Sequence, residues 1–87
     1  IDQVIYAEAD GNYVTLHTPG KKFVITSTLG AVEEKLKSPH HVRIHRSYLV
    51  DLRKVTAVEE GYVRLGAQNL PVGKTHKEAL MARIRTL

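Results

Sequence analysis

Cysteine and tryptophan are both absent from these 87 residues. Without cysteine there are no disulfides and no thiolate metal sites, which is ordinary for a cytoplasmic protein. Aromatic residues are few, 4 Tyr and 1 Phe, and most fall within strand-like runs. RNA recognition usually draws on several exposed rings for stacking, so that reading starts weak. No apolar run approaches the ~18 residues that a spanning helix needs. The N-terminus also lacks the basic-then-apolar pattern of a signal peptide. A soluble, cytoplasmic chain without membrane contact is therefore expected.

With 43% hydrophobic and 25% charged residues, the composition suits one small domain. A chain of this size buries roughly 60% of its unfolded surface, enough for one core and no second. The net charge is +4, unevenly distributed: residues 40–54 and 73–87 each hold 4 Lys+Arg against 1 Asp+Glu, whereas residues 1–39 and 55–72 are each slightly acidic. Two segments therefore carry the basic excess, a pattern that suits a polyanionic partner. No internal repeat, low-complexity tract or linker interrupts the chain, and residues 1–87 read as one domain taken from a longer protein.

The first third reads as a β-meander. VIYAEA (4–9) and YVTLHT (13–18) are joined by Asp10-Gly11-Asn12, and KKFVIT (21–26) follows a turn at Pro19-Gly20. Turn signals at this spacing, with β-branched and aromatic runs between them, favour an antiparallel sheet. In TSTLGAVEEKLK, Leu29, Val32 and Leu36 recur at helical spacing behind a Ser or Thr cap, with Glu33 and Lys37 placed as an i,i+4 pair. That short helix ends before Ser38-Pro39. Three short strands follow in KVTAVEE, GYVRL and LPV, and Pro71 puts the last at a sheet edge. A C-terminal helix is expected from near Thr75, with Thr75 and Glu78 at capping-box spacing and Leu80, Ile84 and Leu87 as its apolar stripe.

The stretch HVRIHRSYLVDL (41–52) breaks its own pattern. As one extended strand it would line up Val42, Ile44, Tyr48, Val50 and Leu52 on one face, with Arg46 in the middle of that apolar row. An arginine is almost never buried unpaired, so a bulge or tight turn at His45-Arg46-Ser47 is expected to bring Arg46 to the surface. An exposed guanidinium can bond two acceptors of a guanine edge, while His45 and Ser47 can donate to phosphates. The bland account pairs Arg46 with Asp51 or Glu8. Pattern alone leaves the two open.

Enzymatic readings are weak. Ser47 lies two residues from His45, but no acid orients the histidine and no strained nucleophile elbow is present. His40, His41 and His45 lack the helical context of a zinc site, and strand neighbours point to opposite faces, so solvated or phosphate-facing histidines are expected. Gly73-Lys74-Thr75 resembles the end of a phosphate-binding loop without its earlier glycine. No cofactor and no catalytic role are expected. Lys74, Thr75 and Lys77 do lie at the start of the last helix, where backbone N–H groups attract phosphate, although a solvated basic helix start is the simpler account. Asn12 and Tyr13 sit at the first hairpin tip, where Asp-Gly-Asn is also ordinary turn chemistry.

Taken together, IYAEADGNYVTLHT, VRIHRSYLVDLRKV and LPVGKTHKEAL resemble, in order and with similar spacing, the LytTR domain, the DNA-binding output module of bacterial response regulators of the LytR/AlgR group. The resemblance covers essentially the whole chain. It implies a mainly β fold, an elongated arrangement of small antiparallel sheets with short helices, including a C-terminal one. It also implies sequence-specific binding of double-stranded DNA, with loops inserted into successive major grooves of paired direct repeats and with bending of the duplex.

Carried over by motif, Arg46 reads bases, Asn12 or Tyr13 supplies a second contact, and Lys74 a third. Arg43, His45, Ser47, Thr75 and Lys77 would then hold phosphates. A receiver or sensor domain on the N-terminal side and a dimer on DNA fit the same resemblance. Two positions depart from the pattern: Asp51 stands where many members have Asn and is expected to lie away from DNA, and Gly73-Lys74-Thr75 stands where many have Ser-Arg-Arg. Lysine lacks the planar fork that reads guanine through two bonds. The competing class is a basic, β-rich protein-interaction module that docks an acidic partner.

Overall fold

Among the described residues, eight strands, two α-helices and one 3-10 turn fold around a five-stranded sheet that is covered on both faces. The computed structural model describes residues 3–85. Strands β1 (Tyr6–Asp10), β2 (Tyr13–Thr18) and β3 (Lys21–Thr26) form the expected meander. Helix α1 (Leu29–Leu36) follows, then β4 (His41–His45) and β5 (Tyr48–Asp51). These five strands make an antiparallel sheet in the order β3-β2-β1-β5-β4. A 3-10 turn at Leu52–Lys54 leads to β6 (Ala57–Glu59), β7 (Tyr62–Leu65) and β8 (Gln68–Pro71), a smaller antiparallel sheet with Pro71 on an edge strand, and helix α2 (Lys74–Arg85) ends the chain. The body measures 32 × 26 × 21 Å.

Local chemistry sets each boundary. Gly11 takes φ 61 at the first position of the two-residue loop between Asp10 and Tyr13, as a hairpin turn with one mirror-region residue requires. Thr28 caps α1, its hydroxyl accepting from Ala31 N at 3.1 Å, and Lys37 closes the helix in the left-handed region at φ 44. Because Lys37 leaves the helix there, it does not stand over Glu33. The Glu33 carboxylate instead lies 3.9 Å from the Arg43 guanidinium.

Several expectations are corrected. The single core is two clusters, one on each face of the large sheet. Tyr6, Val42, Ile44, Val50 and Leu52 pack with Val63, Leu65 and Leu70 of the small sheet and Leu80 of α2. Ala7, Val14 and Leu49 pack on the other face under Leu29 and Val32 of α1. Central strands covered on both sides bury consecutive residues, which is why Leu49 is as inaccessible as Val50. The strand expected from Lys54 begins only at Ala57, because Asp51 caps a 3-10 turn across Leu52–Lys54. Helix α2 begins at Lys74, so Thr75 lies inside its first turn and forms no capping box; the Gly73 carbonyl accepts from His76 N at 3.0 Å instead. Leu80 is buried and Ile84 packs against the core, while Leu87 lies outside the described residues.

Asp51 is fully buried at the end of β5 remote from the Arg46 turn. Its Oδ1 accepts from Arg53 N and Nε at 2.9 and 3.1 Å, and its Oδ2 pairs with Arg53 Nη2 at 2.9 Å. Burial alone would raise its pKa, but the Arg53 hydrogen bonds and the His41 and Arg53 charges outweigh burial and hold the carboxyl below its usual range. The aspartate that departs from the family pattern is therefore a structural cap.

Candidate nucleic-acid interface

Three turns far apart in sequence meet at one end of the large sheet. The ends of β1 and β2 carry the Gly11-Asn12 tip, and Asn12 O accepts from Ser27 N at 3.2 Å. Beside it, Ala9 N donates to Ser47 O at 2.9 Å, which ties the first hairpin to the β4–β5 turn. On the far side of that turn, Gly73 N donates to Ile44 O at 2.7 Å and docks the start of α2. Gly73 packs closely enough that a Cβ there would lie 3.3 Å from His76 Cδ2 and 3.7 Å from His45 Cδ2.

The central turn answers the break in the apolar row. β4 and β5 form a tight hairpin, His45 pairing with Tyr48 across Arg46-Ser47, with a register shift between Arg43 and His45. Neither loop residue is glycine and neither has a positive φ. Side chains hold the shape instead. Arg43 Nε donates to His45 O at 3.3 Å and Arg43 Nη2 to Arg46 O at 2.8 Å. Ser47 N donates to His45 Nδ1 at 3.1 Å, which leaves Nε2 as the nitrogen that carries the proton of the neutral ring.

Behind the turn lies a polar cluster that sequence reasoning missed. Tyr48 OH donates to Glu8 Oε2 at 3.2 Å, and the His45 and Tyr48 rings are 5.6 Å apart. Glu8 Oε1 lies 3.5 Å from His17 Nε2, at the limit of hydrogen-bond reach, and His17 stacks on Tyr6 at 4.0 Å. Burial, and then the Glu8 charge, raise the pKa of Tyr48, so its hydroxyl stays protonated and donates. The sequence offered Glu8 only as an alternative partner of Arg46, not of Tyr48. Its partner became visible when β1 paired with β5 in the register Glu8–Tyr48.

Arg46 is exposed, and among the described residues its guanidinium has no hydrogen-bond or ion-pair partner. The bland pairing with Asp51 or Glu8 is not formed: Asp51 holds Arg53, and Glu8 accepts from Tyr48. Asn12 and Tyr13 are exposed at the tip, Tyr13 at 54%. Lys74, Thr75 and Lys77 are exposed in the first turn of α2, which has no acidic residue. Two cations at a helix N-terminus oppose the dipole, an arrangement that an anion relieves.

Ser47 and His45 are half-buried beside Arg46, and Arg43 is half-buried beneath it. His41 corrects the expectation of solvated histidines. It is buried, with Nε2 2.7 Å from Val4 O. Among the described residues no group of three metal-ligating side chains is assembled.

The sequence profile described as the LytTr DNA-binding domain matches residues 1–85. The CO-responsive transcriptional regulator RcoM of Rhodospirillum rubrum is 41% identical over 54 residues, covering 62% of this chain and 23% of that protein. The sensory transduction protein LytT of Bacillus subtilis is 23% identical over 83 residues, 88% of this chain and 34% of that protein. The transcriptional regulatory protein LytR of Staphylococcus aureus is 31% identical over 48 residues, 55% of this chain and 20% of that protein. This chain therefore spans about a third or less of the length of these relatives. A solved LytTr DNA-binding domain of a methyl-accepting/DNA response regulator from Bacillus cereus has the same fold, with TM-score 0.84 at 17% identity over 95% of this chain and 82% of that one.

Proposed function

The chain belongs to the LytTr DNA-binding domain family, and from that premise we propose that it is the sequence-specific, double-stranded DNA-binding part of a bacterial transcriptional regulator. One observation carries the finer reading: an arginine without a partner projects from a turn whose backbone is bonded on three sides. Preorganisation of this kind lowers the entropy lost when a long side chain docks on a base edge. Arg46 then reads a guanine in a major groove, the Asn12-Tyr13 tip and Lys74 flank it with further base contacts, and Ser47, His45, Thr75 and Lys77 hold phosphates.

Three contact elements on one edge suit successive grooves, and engaging them together favours a bent duplex. Paired direct repeats, two copies on one DNA, a receiver or sensor domain on the N-terminal side and a cytoplasmic location belong to the same proposal. No catalytic step is assigned.

The test is selection of duplexes from a random pool, followed by titration at several salt concentrations against scrambled DNA and structured RNA. The expected outcome is a spaced direct repeat bound at least about a thousandfold more tightly than scrambled duplex. Equal, steeply salt-dependent binding to every polyanion would reduce the basic segments to bulk charge and remove the specific reading.

A further inference from the structure

The sheet has an open side that the DNA-facing end does not use. β3 is its outermost strand, and all six of its residues are exposed. Among the described residues no strand or loop pairs with its outer edge. In its middle, Phe23 is 50%, Val24 62% and Ile25 37% exposed. Edge strands normally defend themselves with charge, proline or a bulge. Here lysines guard one end only, at Lys21 and Lys22.

The same strand borders a trough. Phe23 and Ile25 share a face with Leu16 and Val14, the face on which α1 sits. The eight-residue α1 packs over β1 and β5 and stops short of β3. Between Phe23, Ile25, Leu16, Val32 and Leu36 it leaves an apolar depression of about 290 Å³ with Lys35 at its rim. By strand alternation Lys21 lies on that same face.

We infer that the outer edge of β3 is a protein-docking site that takes an extended segment of a partner by strand addition, with alternate apolar side chains filling the trough and acidic residues opposite Lys21 and Lys22. Edge N–H and C=O groups supply the backbone bonds of such a complex, and the pockets for alternate side chains supply its selectivity. The charges favour an acidic partner over a second copy of this domain, whose net charge is +4. The edge runs along the flank of the sheet, with its Thr26 end beside the Asn12-Tyr13 tip, while Phe23, Ile25 and the trough lie further along the strand and the Arg46 turn joins β4 to β5 at the opposite side of the sheet.

The experiment uses a blocked hexapeptide, Thr-Val-Thr-Val-Glu-Glu, which in antiparallel register sets its valines opposite Ile25 and Phe23 and its glutamates opposite Lys22 and Lys21. Titration into isotopically labelled domain is followed by NMR. The expected result is saturable shifts confined to β3 amides and the side chains of the trough. Binding should be about tenfold weaker when the two glutamates are replaced by lysines, since two attractive pairs become repulsive. The Phe23→Thr, Ile25→Thr double variant should lose the peptide and keep the DNA selected above. Absence of saturable binding, equal binding of the lysine peptide, or self-association through β3 without peptide would each overturn the proposal.

Discussion

Arg43 and Arg46 occupy opposite sides of one turn and do opposite things. Arg43 folds inward and donates from Nη2 to the Arg46 carbonyl at 2.8 Å, while the Arg46 side chain projects into solvent without a partner among the described residues. One arginine braces the turn from which the other projects. The distinction separates residues whose loss should cost base reading from those whose loss should cost the shape of the reader.

Replacing Arg46 with Ala should leave folding unchanged, because the side chain touches nothing that the fold needs. Specific DNA binding should weaken by about 1–3 kcal/mol and selectivity should relax at one base pair. Thermal unfolding alongside titration of single-base variants of the selected site checks both halves. Unaltered site preference would remove Arg46 from the reading role.

Arg43→Ala should lower DNA affinity by another route. With the guanidinium that donates to the His45 and Arg46 carbonyls gone, the glycine-free turn loses its brace, and backbone amide signals of residues 45–47 should move in the free protein. If Arg43 held a phosphate as the family pattern implies, its removal would instead lower the slope of log affinity against log salt by about 1 and leave the free turn intact. Arg43→Lys should not rescue the turn, because an ammonium lacks the fork that spans two carbonyls.

Lys77→Ala should weaken binding evenly across sequences and reduce the salt slope by about 1, as expected for a phosphate contact. Measured over several ionic strengths, an unchanged slope would place Lys77 away from the backbone of the duplex.

Asp51 predicts part of the acid limb of stability. Its folded-state pKa is lowered, so the native state binds fewer protons than the unfolded chain as pH falls. Its contribution is therefore complete above the ordinary value of 3.8 and is lost as pH drops through the lower folded-state value. Asp51→Asn should flatten the denaturation profile in that acidic window, and Asp51→Ala should cost about 2 kcal/mol near neutrality by uncapping the 3-10 turn. Urea unfolding at a series of pH values measures both.

Tyr48→Phe tests the cluster behind the turn. Removing the hydroxyl leaves Glu8 without its 3.2 Å donor and should cost about 1 kcal/mol of stability. A parallel loss of DNA affinity, with the salt slope unchanged, would show that the cluster supports the reader. An effect on stability alone would confine it to the core.

Much of the molecule was legible in the chain. Period-two runs and two-residue turn signals specify strands and hairpins through local backbone sterics, so the meander, both helices and the edge position of Pro71 could be read directly. Arg46 was legible for the same reason: one charged residue in an apolar row forces the chain to turn. What depends on pairing between distant segments was decided only by the tertiary structure. The two-sided burial of β1 and β5, the capping by Asp51, the grip of Arg43 on the carbonyls of its own turn, and the open flank of β3 all follow from which strands lie side by side and how far α1 reaches. Those are matters of register and coverage, set by packing free energy summed over the whole fold, and no window of sequence contains them.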